Sequence, residues 1–220
     1  MRVNRDGTAA VAAAGAEVGA TVVYVSTDYV FDGMAKAPIP PNRVLGPLGA
    51  YARSKAAGEA ALQAAAAPWI VVRTGWVYGP GGRNFVDTMR MAAAERRAVR
   101  VVEDQVGAPT SARLIAEAVW GLLPLGPRRI WHVTAAGATS WFGVARSVYH
   151  AAGAPAELVQ PCSTSAAARP APRPAYSVLD CRDTVAALGR PLPAWEDQLS
   201  AYVQTGHLPP CGWIAAAVDG

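Results

Sequence analysis

Cysteine and long apolar runs are scarce in this 220-residue chain, and each scarcity excludes a class of protein. The three cysteines, Cys162, Cys181 and Cys211, form no even disulfide framework and have no metal-ligand spacing, so we expect reduced thiols in a cytoplasmic protein without a metal site. No apolar run is long enough for a membrane span, so no membrane partner is expected. The formal net charge of +4 is modest and the arginines are scattered, so no nucleic-acid partner is expected either.

A glycine-rich dinucleotide motif is also missing. A dinucleotide-binding fold opens with a strand, a glycine-rich turn and a helix whose N-terminus holds the pyrophosphate. The only glycine cluster after a predicted strand, residues 79–82, has the wrong spacing for such a turn. We therefore expect the chain to hold only the second half of such a fold, because of a miscalled start codon or a truncated gene.

The chain does contain three side-chain groups whose spacing suggests a function: a hydroxyl, a phenol and an ammonium. Tyr51 and Lys55 are four residues apart and lie on one face of a predicted helix. Upstream, the apolar run 21–25 predicts a buried strand that ends in Ser26 and Thr27. A hydroxyl at the carboxyl end of a strand, facing a Tyr/Lys pair on the next helix, suits protonation of a carbonyl oxygen. This arrangement resembles the short-chain dehydrogenase/reductase superfamily.

Lysine itself is rare, and its position is informative. Lys36 and Lys55 are the only lysines among the 20 lysine and arginine residues. Arginine would serve an ordinary surface position as well, but its planar guanidinium differs in shape from a compact ammonium. A lysine at position 55 therefore indicates a position that needs lysine chemistry.

Longer stretches narrow the resemblance to one family. Six blocks occur in the order of the dTDP-4-dehydrorhamnose reductase family and are spread over roughly residues 4 to 200. One position departs from the family pattern, since Gly75 stands where the family usually has serine. The blocks are Val25–Gly33, Tyr51–Glu59, Val72–Gly79, Asn84–Met89, Asp104–Thr110 and Arg173–Asp180.

The resemblance implies a catalytic trio of Thr27, Tyr51 and Lys55. In the family the tyrosine protonates the C4 carbonyl oxygen of a nucleotide-linked 4-keto-6-deoxy sugar while hydride arrives from NADPH or NADH. Thr27 would hydrogen-bond the same oxygen. Lys55 would bind the nicotinamide ribose beside Tyr51, and its ammonium is expected to lower the tyrosine pKa from its ordinary value near 10.

The resemblance also implies contacts with the sugar nucleotide from Asp28, Tyr29, Trp76, Asn84 and Arg173. All of them except Trp76 have a structural alternative that the sequence leaves open. Asp28 and Tyr29 also suit a polar turn and a core aromatic. Asn84 suits a helix cap. Arg173 would bind a diphosphate oxygen or form a salt bridge with Asp180.

The predicted fold class is α/β, a partial Rossmann fold with a small interleaved substrate-binding lobe. Residues 1–83 are expected to form the residual Rossmann core with the catalytic residues, as a βαβ unit in which a helix that begins at Tyr51 joins parallel strands at 21–26 and 69–74. Residues 84–205 are expected to form the substrate lobe, with one strand near 129–133 returning to the core sheet. The proline-rich residues 161–174 are expected to form a loop or linker, Ser140 is expected to cap a helix, and residues 206–220 are left as a tail.

The function that follows is reduction of dTDP-6-deoxy-L-lyxo-4-hexulose to dTDP-L-rhamnose with NADPH or NADH by a cytoplasmic enzyme that forms a homodimer. Because the glycine-rich half is missing, we expect the isolated chain to be inactive. Two alternatives stay open. One is a 4-ketoreductase or epimerase for another deoxysugar nucleotide. The other is a non-catalytic binding subunit with a reductase fold, although a binding module does not need the whole catalytic trio.

Overall fold

The computed structural model describes residues 1–167 and 171–211. Residues 168–170, in the predicted loop 161–174, and residues 212–220, in the predicted tail, lie outside the described residues. The chain forms two compact units, which are described separately. The first unit comprises residues 1–74, 119–133 and 171–190, and the second comprises residues 75–118, 134–170 and 191–220.

A three-stranded parallel sheet organises the first unit, with the strand order β1-β2-β7. Helix α2 connects β1 to β2 and begins one residue before Tyr51, close to its predicted start. The predicted βαβ unit and the returning strand near residue 129 are therefore present. The regular elements are α1 (Thr8–Val18), β1 (Val22–Thr27), α2 (Ala50–Gln63), β2 (Trp69–Thr74), β7 (Arg129–His132) and α6 (Arg182–Leu188).

The central strand explains why this sheet forms. All six residues of β2 are buried, and most are β-branched or aromatic side chains that favour a buried strand. On one side of the sheet, Leu62 and Ala12 pack with Trp69 and Val71 to form a core. The register of β1 with β2 runs to their last residues, so Thr27 lies opposite Thr74. Both hydroxyls are thereby brought to the carboxyl edge, where open α/β sheets bind ligands.

A close backbone approach fixes α2 against β1. Gly58 on α2 has no room for a side chain, because a Cβ there would lie 2.4 Å from the Asn4 carbonyl oxygen and closer still to the Tyr24 hydroxyl. The Tyr24 hydroxyl donates a hydrogen bond of 3.3 Å to the Lys55 carbonyl oxygen. Gly58 thus sets the distance between the helix that carries Tyr51 and the strand that carries Thr27.

Strand β1 is an edge strand within the described residues. Its backbone pairs with β2 on one side, and no other described strand pairs with it. Val25, near its carboxyl end, is 46% exposed. The following residues form a short 3-10 turn, Asp28–Val30. An irregular segment, 31–49, then leads to α2 and carries the exposed Lys36.

The second unit combines helices with three short strand pairs. Strand β3 pairs with β6, β4 with β9 and β5 with β8. The Ser140 hydroxyl accepts the Gly143 N–H and caps α5, as predicted. The elements are β3 (Val77–Tyr78), α3 (Phe85–Ala94), β4 (Val99–Val102), β5 (Val106–Gly107), β6 (Thr110–Ser111), β8 (Thr139–Ser140), α5 (Trp141–Ala151), β9 (Val159–Cys162) and α7 (Trp195–Thr205), while α4 (Ala112–Leu122) runs from this unit into the first.

Strand β9 corrects the prediction that a loop begins at residue 161. The proline at position 161 indicates a loop, yet it lies inside a strand that pairs in parallel with β4. Proline is tolerated in strands at a sheet edge, where its missing N–H is not needed. Burial of Val159 and Cys162 anchors the two ends of this strand.

No helix among residues 1–167 and 171–211 combines the length and the apolar character that a membrane crossing requires.

Candidate active site

Thr27 and Tyr51 meet at the carboxyl edge of the first unit's sheet. Thr27 is the last residue of β1, and Tyr51 lies in the first turn of α2. The Thr27 hydroxyl lies close enough to the Tyr51 phenol to lower its pKa. Tyr51 is 57% exposed, whereas Thr27 is buried. The pair therefore presents a phenolic proton to solvent beside a buried hydroxyl.

The electrostatics of Tyr51 correct one expectation. Burial of part of the ring raises the pKa of Tyr51 above its ordinary value, the negative charge of Asp28 adds to this rise, and the Thr27 hydroxyl opposes it. The Lys55 ammonium is not among the groups that set this pKa, so the predicted lowering by Lys55 is wrong for this arrangement. The reason is that Lys55 has other partners.

The Lys55 ammonium lies on the backbone of β1. Its Nζ atom donates a 2.5 Å hydrogen bond to the Val25 carbonyl oxygen and lies 4.0 Å from the centre of the Tyr24 ring. Burial lowers the pKa of Lys55, and the carboxylate of Glu59, one helical turn further along α2, opposes that shift. Burial also raises the pKa of Tyr24 to about 12. The ammonium thus occupies the open edge of β1.

Asp28 lies below the Thr27–Tyr51 pair and is only 3% exposed. Its Oδ1 atom accepts a 3.0 Å hydrogen bond from the Thr27 hydroxyl, and the Ser177 hydroxyl also binds the carboxyl group. Burial raises the pKa of Asp28 to about 7, and these two hydroxyls oppose the rise. A carboxyl group that exchanges its proton near neutral pH therefore lies one hydroxyl away from Tyr51.

Tyr29 and Arg173 complete the predicted residues of the first unit. The Tyr29 N–H donates a 3.2 Å hydrogen bond to the Thr27 hydroxyl, and Thr27 thereby caps the 3-10 turn. The segment that contains Arg173 packs next to this turn, since a Cβ at Gly33 would lie 2.6 Å from Pro174. Asp180 binds Arg182 at 2.6 Å, so the salt bridge that the sequence allows between Arg173 and Asp180 is taken by a different arginine.

A buried ion pair under the site was not predicted from the sequence. Arg73 on β2 and Glu59 on α2 are joined by a 2.7 Å contact, and their side chains are 3% and 1% exposed. The Ser26 hydroxyl donates to the same carboxylate. Arg73 also donates a 2.8 Å hydrogen bond to the Pro41 carbonyl oxygen, which connects the irregular segment before α2 to the sheet. An arginine inside a fully buried strand was the sequence signal, because such a charge needs a buried partner.

Trp76 belongs to the second unit and has an unusual backbone. Its φ of 51° lies in the left-handed region, which is uncommon for a bulky residue. Its indole stacks on Trp141 with ring centres 3.7 Å apart and an angle of 6°, and Phe85 meets Trp141 edge-on at 4.8 Å. Gly107 allows this packing, since a Cβ there would lie 2.5 Å from the Trp76 ring.

Asn84, also in the second unit, caps helix α3. Its side-chain oxygen accepts a 2.9 Å hydrogen bond from the Asp87 N–H. Its side-chain nitrogen donates a 3.0 Å hydrogen bond to the Gly79 carbonyl oxygen. The capping role that the sequence left open is therefore present. A contact of Asn84 or Trp76 with a sugar nucleotide stays a prediction.

The described part of the chain, residues 1–167 and 171–211, contains no group of three or more histidine, cysteine, aspartate or glutamate side chains that could hold a metal ion. The first unit brings a phenol, buried hydroxyls, an ammonium and a buried carboxyl group to its sheet, and such groups suit proton transfer to a carbonyl oxygen.

Comparison with known proteins places this geometry in a family. The model of the RmlD substrate binding domain matches residues 1–207. A dTDP-4-dehydrorhamnose reductase of Mycobacterium tuberculosis is 44% identical over 204 residues, which cover 90% of this chain and 67% of that protein. The Escherichia coli K12 reductase of the same name is 36% identical, with coverage of 88% and 68%. The chain thus spans about two thirds of the length of these relatives.

Solved structures agree with the sequence relatives. The chain superposes on a Bacillus anthracis dTDP-4-dehydrorhamnose reductase in complex with NADP with a TM-score of 0.85 and 34% identity, over 90% of this chain and 70% of that one. A dTDP-glucose 4,6-dehydratase of Streptomyces venezuelae, at 18% identity and a TM-score of 0.79, shares the fold. The predicted α/β class with a Rossmann-type parallel sheet is confirmed. The chain belongs to the dTDP-4-dehydrorhamnose reductase family.

Proposed function

We propose that this chain carries the catalytic residues for reduction of the C4 ketone of dTDP-6-deoxy-L-lyxo-4-hexulose to dTDP-L-rhamnose, with NADPH or NADH as reductant. The observation that carries the proposal is the placement of the buried Thr27 hydroxyl, at the last residue of β1, near the exposed Tyr51 phenol in the first turn of α2. A ketone oxygen placed at this phenol would receive a proton as the carbon becomes an alcohol.

Tyr51 acts as the acid in this proposal. Its raised pKa keeps the phenol protonated at neutral pH, so the proton is available for transfer. The Thr27 hydroxyl steadies the phenolate that remains, because a hydrogen bond to the charged form favours it. The strand end and the helix start hold the two oxygens in place, and this positioning lowers the entropic cost of the reaction.

The nicotinamide end of a cofactor suits the edge where Tyr51 and Lys55 lie. Beside the exposed phenol, Lys55 holds an ammonium on the Val25 carbonyl oxygen, at a strand edge that is open among the described residues. Tyr51 and Lys55 would hold the nicotinamide ribose by exchanging these contacts for its hydroxyls. When bound, the cofactor supplies the hydride. The pyrophosphate would need a glycine-rich turn, and the 220-residue sequence contains no motif of that kind.

Five residues are proposed to contact the sugar nucleotide, and each is considered within its own unit. Tyr29 and Arg173 of the first unit, with Asp28, would contact the sugar and the diphosphate. In the second unit, Trp76 would pack on the sugar or the nucleotide, and Asn84 would also contact the substrate. The first unit then corresponds to the cofactor-binding core and the second to the substrate lobe. A cytoplasmic location and a homodimer complete the proposal.

Turnover of the sugar nucleotide tests this function directly in a protein restored to the full length of its relatives, because the isolated chain is expected to be inactive. Tyr51→Phe removes only the phenolic proton, so kcat should fall by roughly a hundredfold or more while the fold remains. Tyr149→Phe is the matched control, because Tyr149 lies in the second unit and its hydroxyl binds only the Arg97 carbonyl oxygen. NMR analysis of the product distinguishes rhamnose from another deoxysugar. Wild-type turnover that survives Tyr51→Phe would contradict the proposal.

A further inference from the structure

Trp76 carries its indole on a backbone conformation that bulky residues rarely adopt. Its φ is 51°, and this left-handed region is unfavourable for a residue with a large side chain. Such strain persists only where neighbouring groups enforce it, and strained residues are frequent at positions that clamp a ligand. The contacts of Trp76 therefore indicate which residues fix the direction of its ring.

Packing, and not hydrogen bonding, holds the Trp76 ring. The Thr110 N–H donates a 3.2 Å hydrogen bond to the Trp76 carbonyl oxygen, but this contact fixes only the backbone. The Trp76 indole N–H is buried and has no hydrogen-bond partner among residues 1–167 and 171–211, although a buried indole N–H usually has one. The position of the ring therefore depends on the side chains and the backbone that touch it.

Trp141 supplies the flat surface against which this ring lies. The two ring centres are 3.7 Å apart and the ring planes differ by 6°. Strand β5, which contains Gly107, pairs with β8, directly before the helix that begins at Trp141. A side chain at position 107 would displace the Trp76 ring, since a Cβ there would lie 2.5 Å from it. Gly107 and Trp141 thus determine where the ring can lie.

Trp141 also contacts the neighbour of a second residue that is assigned to the substrate. The Phe85 ring meets the Trp141 ring edge-on, with centres 4.8 Å apart and an angle of 70°. Phe85 is the first residue of α3 and directly follows the cap residue Asn84. One indole therefore contacts Trp76 itself and the residue next to Asn84, the two proposed substrate contacts of the second unit.

We propose that Trp141 is a positioning residue for the sugar nucleotide, because its ring holds Trp76 in the left-handed conformation in which Trp76 packs on the substrate. The proposal rests on the proposed function, which assigns Trp76 to the substrate. Trp141 acts through Trp76 and needs no contact with the sugar nucleotide. A flat ring at position 141 should therefore be sufficient, whereas an aliphatic side chain would leave the Trp76 ring without its stacking partner.

The first experiment tests the stack in the chain alone, without substrate or cofactor. The seven tryptophans are labelled with nitrogen-15, and the Trp76 indole N–H signal is identified by its loss in Trp76→Phe. In Trp141→Leu this signal should broaden or split, because the ring then occupies more than one position. Trp141→Phe should keep a single sharp signal. A single sharp Trp76 signal in Trp141→Leu would mean that other contacts fix the ring, and it would overturn the proposal.

The second experiment measures binding of dTDP-L-rhamnose, the product of the proposed reaction, by titration calorimetry. The chain contains every residue that is assigned to the sugar nucleotide, so this measurement does not need the cofactor. Trp141→Leu should raise the Kd by about tenfold, which is the scale of one aromatic stacking contact. Trp141→Phe should restore most of the affinity.

A double variant shows whether Trp141 acts through Trp76. Trp76→Leu should weaken binding at least as much as Trp141→Leu does. Adding Trp141→Leu to Trp76→Leu should then cause no further loss, because the ring that Trp141 positions is already absent. Additive losses would overturn the proposal. Gly107→Ala tests the same ring from a different residue, and an unchanged Kd in this variant would also contradict the proposal.

Trp195→Leu is the matched control for a general loss of packing. Trp195 is a tryptophan of the second unit that is 5% exposed, and its indole N–H also has no hydrogen-bond partner within the described part of the chain. Its replacement should lower the free energy of unfolding in urea and leave the Kd unchanged. Equal losses of affinity in Trp195→Leu and Trp141→Leu would mean that Trp141 only stabilises the fold.

The outcomes separate this proposal from the proposed function. If the chain binds dTDP-L-rhamnose but the protein restored to full length does not reduce the sugar nucleotide, the proposed function fails, and the role of Trp141 is judged on the Kd values. If the wild-type chain does not bind dTDP-L-rhamnose, the role of Trp141 is wrong, whereas the proposed function is still judged on turnover and on Tyr51→Phe.

Discussion

The guanidinium of Arg73 and the carboxylate of Glu59 bind each other inside the first unit, with Nε 3.0 Å from Oε1 and Nη2 2.7 Å from Oε2. Through this pair, strand β2 holds the helix that carries Tyr51 and Lys55. The Ser26 hydroxyl donates to the Glu59 carboxylate, so the strand that carries Thr27 is also bound to the pair. The Arg73 guanidinium donates to the Pro41 carbonyl oxygen, so the segment before the helix is bound to it as well. One ion pair thus holds every element that contributes to the candidate catalytic trio.

Glu59→Gln should lower the free energy of unfolding by about 3 kcal/mol or more, because the Arg73 charge would remain buried without a counter-charge. Urea unfolding followed by circular dichroism measures this loss. Glu95→Gln is the matched control, since the Arg97–Glu95 pair is exposed at the surface and should cost well under about 1 kcal/mol. Replacing both partners, as Glu59→Gln with Arg73→Met, should recover part of the stability, and equal losses in the single and double variants would contradict the pairing.

Gly58→Ala should damage both stability and the candidate site. The new Cβ would be forced against the Asn4 carbonyl oxygen and the Tyr24 hydroxyl, so α2 would have to move away from β1. We expect a loss of about 1–3 kcal/mol, which is typical of overpacking. Gly7→Ala is the control, because a Cβ there meets only the Arg2 carbonyl oxygen at 3.8 Å. A Gly58→Ala protein as stable as the wild type would mean that this contact does not fix the helix.

The pH dependence of stability should reveal two buried groups that act in opposite directions. Asp28 has a folded pKa of about 7, so between about pH 4 and 7 the folded state binds more protons than the unfolded state, and stability falls as pH rises. His132 has a folded pKa of about 3, lowered by burial and by Arg73. Between about pH 3 and 6.5 its unfolded form binds more protons, so stability rises with pH.

Each effect amounts to roughly 4–5 kcal/mol at most, and the two nearly cancel in the wild type. Asp28→Asn should therefore give a protein whose stability rises with pH across this window, and His132→Gln one whose stability falls. Urea unfolding at a series of pH values gives the difference between each variant and the wild type. Parallel curves for Asp28→Asn and the wild type would show that Asp28 titrates normally in the folded protein.

The open edge of β1 should make the chain self-associate. Among the described strands only β2 pairs with β1, so the other edge of β1, where Val25 is exposed, is a template on which another strand can pair. Val25→Lys should reduce association, because an outward charge at an edge strand opposes pairing. Val18→Lys is the control, since Val18 is exposed on helix α1. Sedimentation velocity over a range of concentrations measures the effect, and a wild-type monomer at every concentration would contradict it.

How much the sequence predicts depends on the range of the interaction. The strand that ends at Thr27 and the helix that begins near Tyr51 follow from local pattern, and their meeting follows from the βαβ rule. Strand β9 was missed because Pro161 is a local signal for a loop, and only its partner β4 shows otherwise. The Glu59–Arg73 pair joins residues 14 apart on different elements, which no local pattern specifies.

The expected effect of Lys55 on Tyr51 was wrong for a similar reason. The spacing along a helix places the two side chains on one face, but it does not determine which oxygen accepts the hydrogen bond of the Lys55 ammonium. The Val25 carbonyl oxygen, at an open strand edge, is a strong acceptor that the sequence does not display. The left-handed backbone of Trp76 and the close approach of its ring to Gly107 are equally invisible in the sequence.

The scarcity of lysine has a practical consequence for Lys55. Apart from the N-terminal amine, an amine-directed acylating reagent has only two targets in the native chain, Lys36 and Lys55. Lys36 is exposed and reacts as the reference within the same molecule. The Lys55 amine reacts only when it leaves the Val25 carbonyl oxygen and loses its proton. The ratio of the two labelling rates, read by peptide mass spectrometry, therefore reports how often the candidate catalytic lysine is free to take another partner.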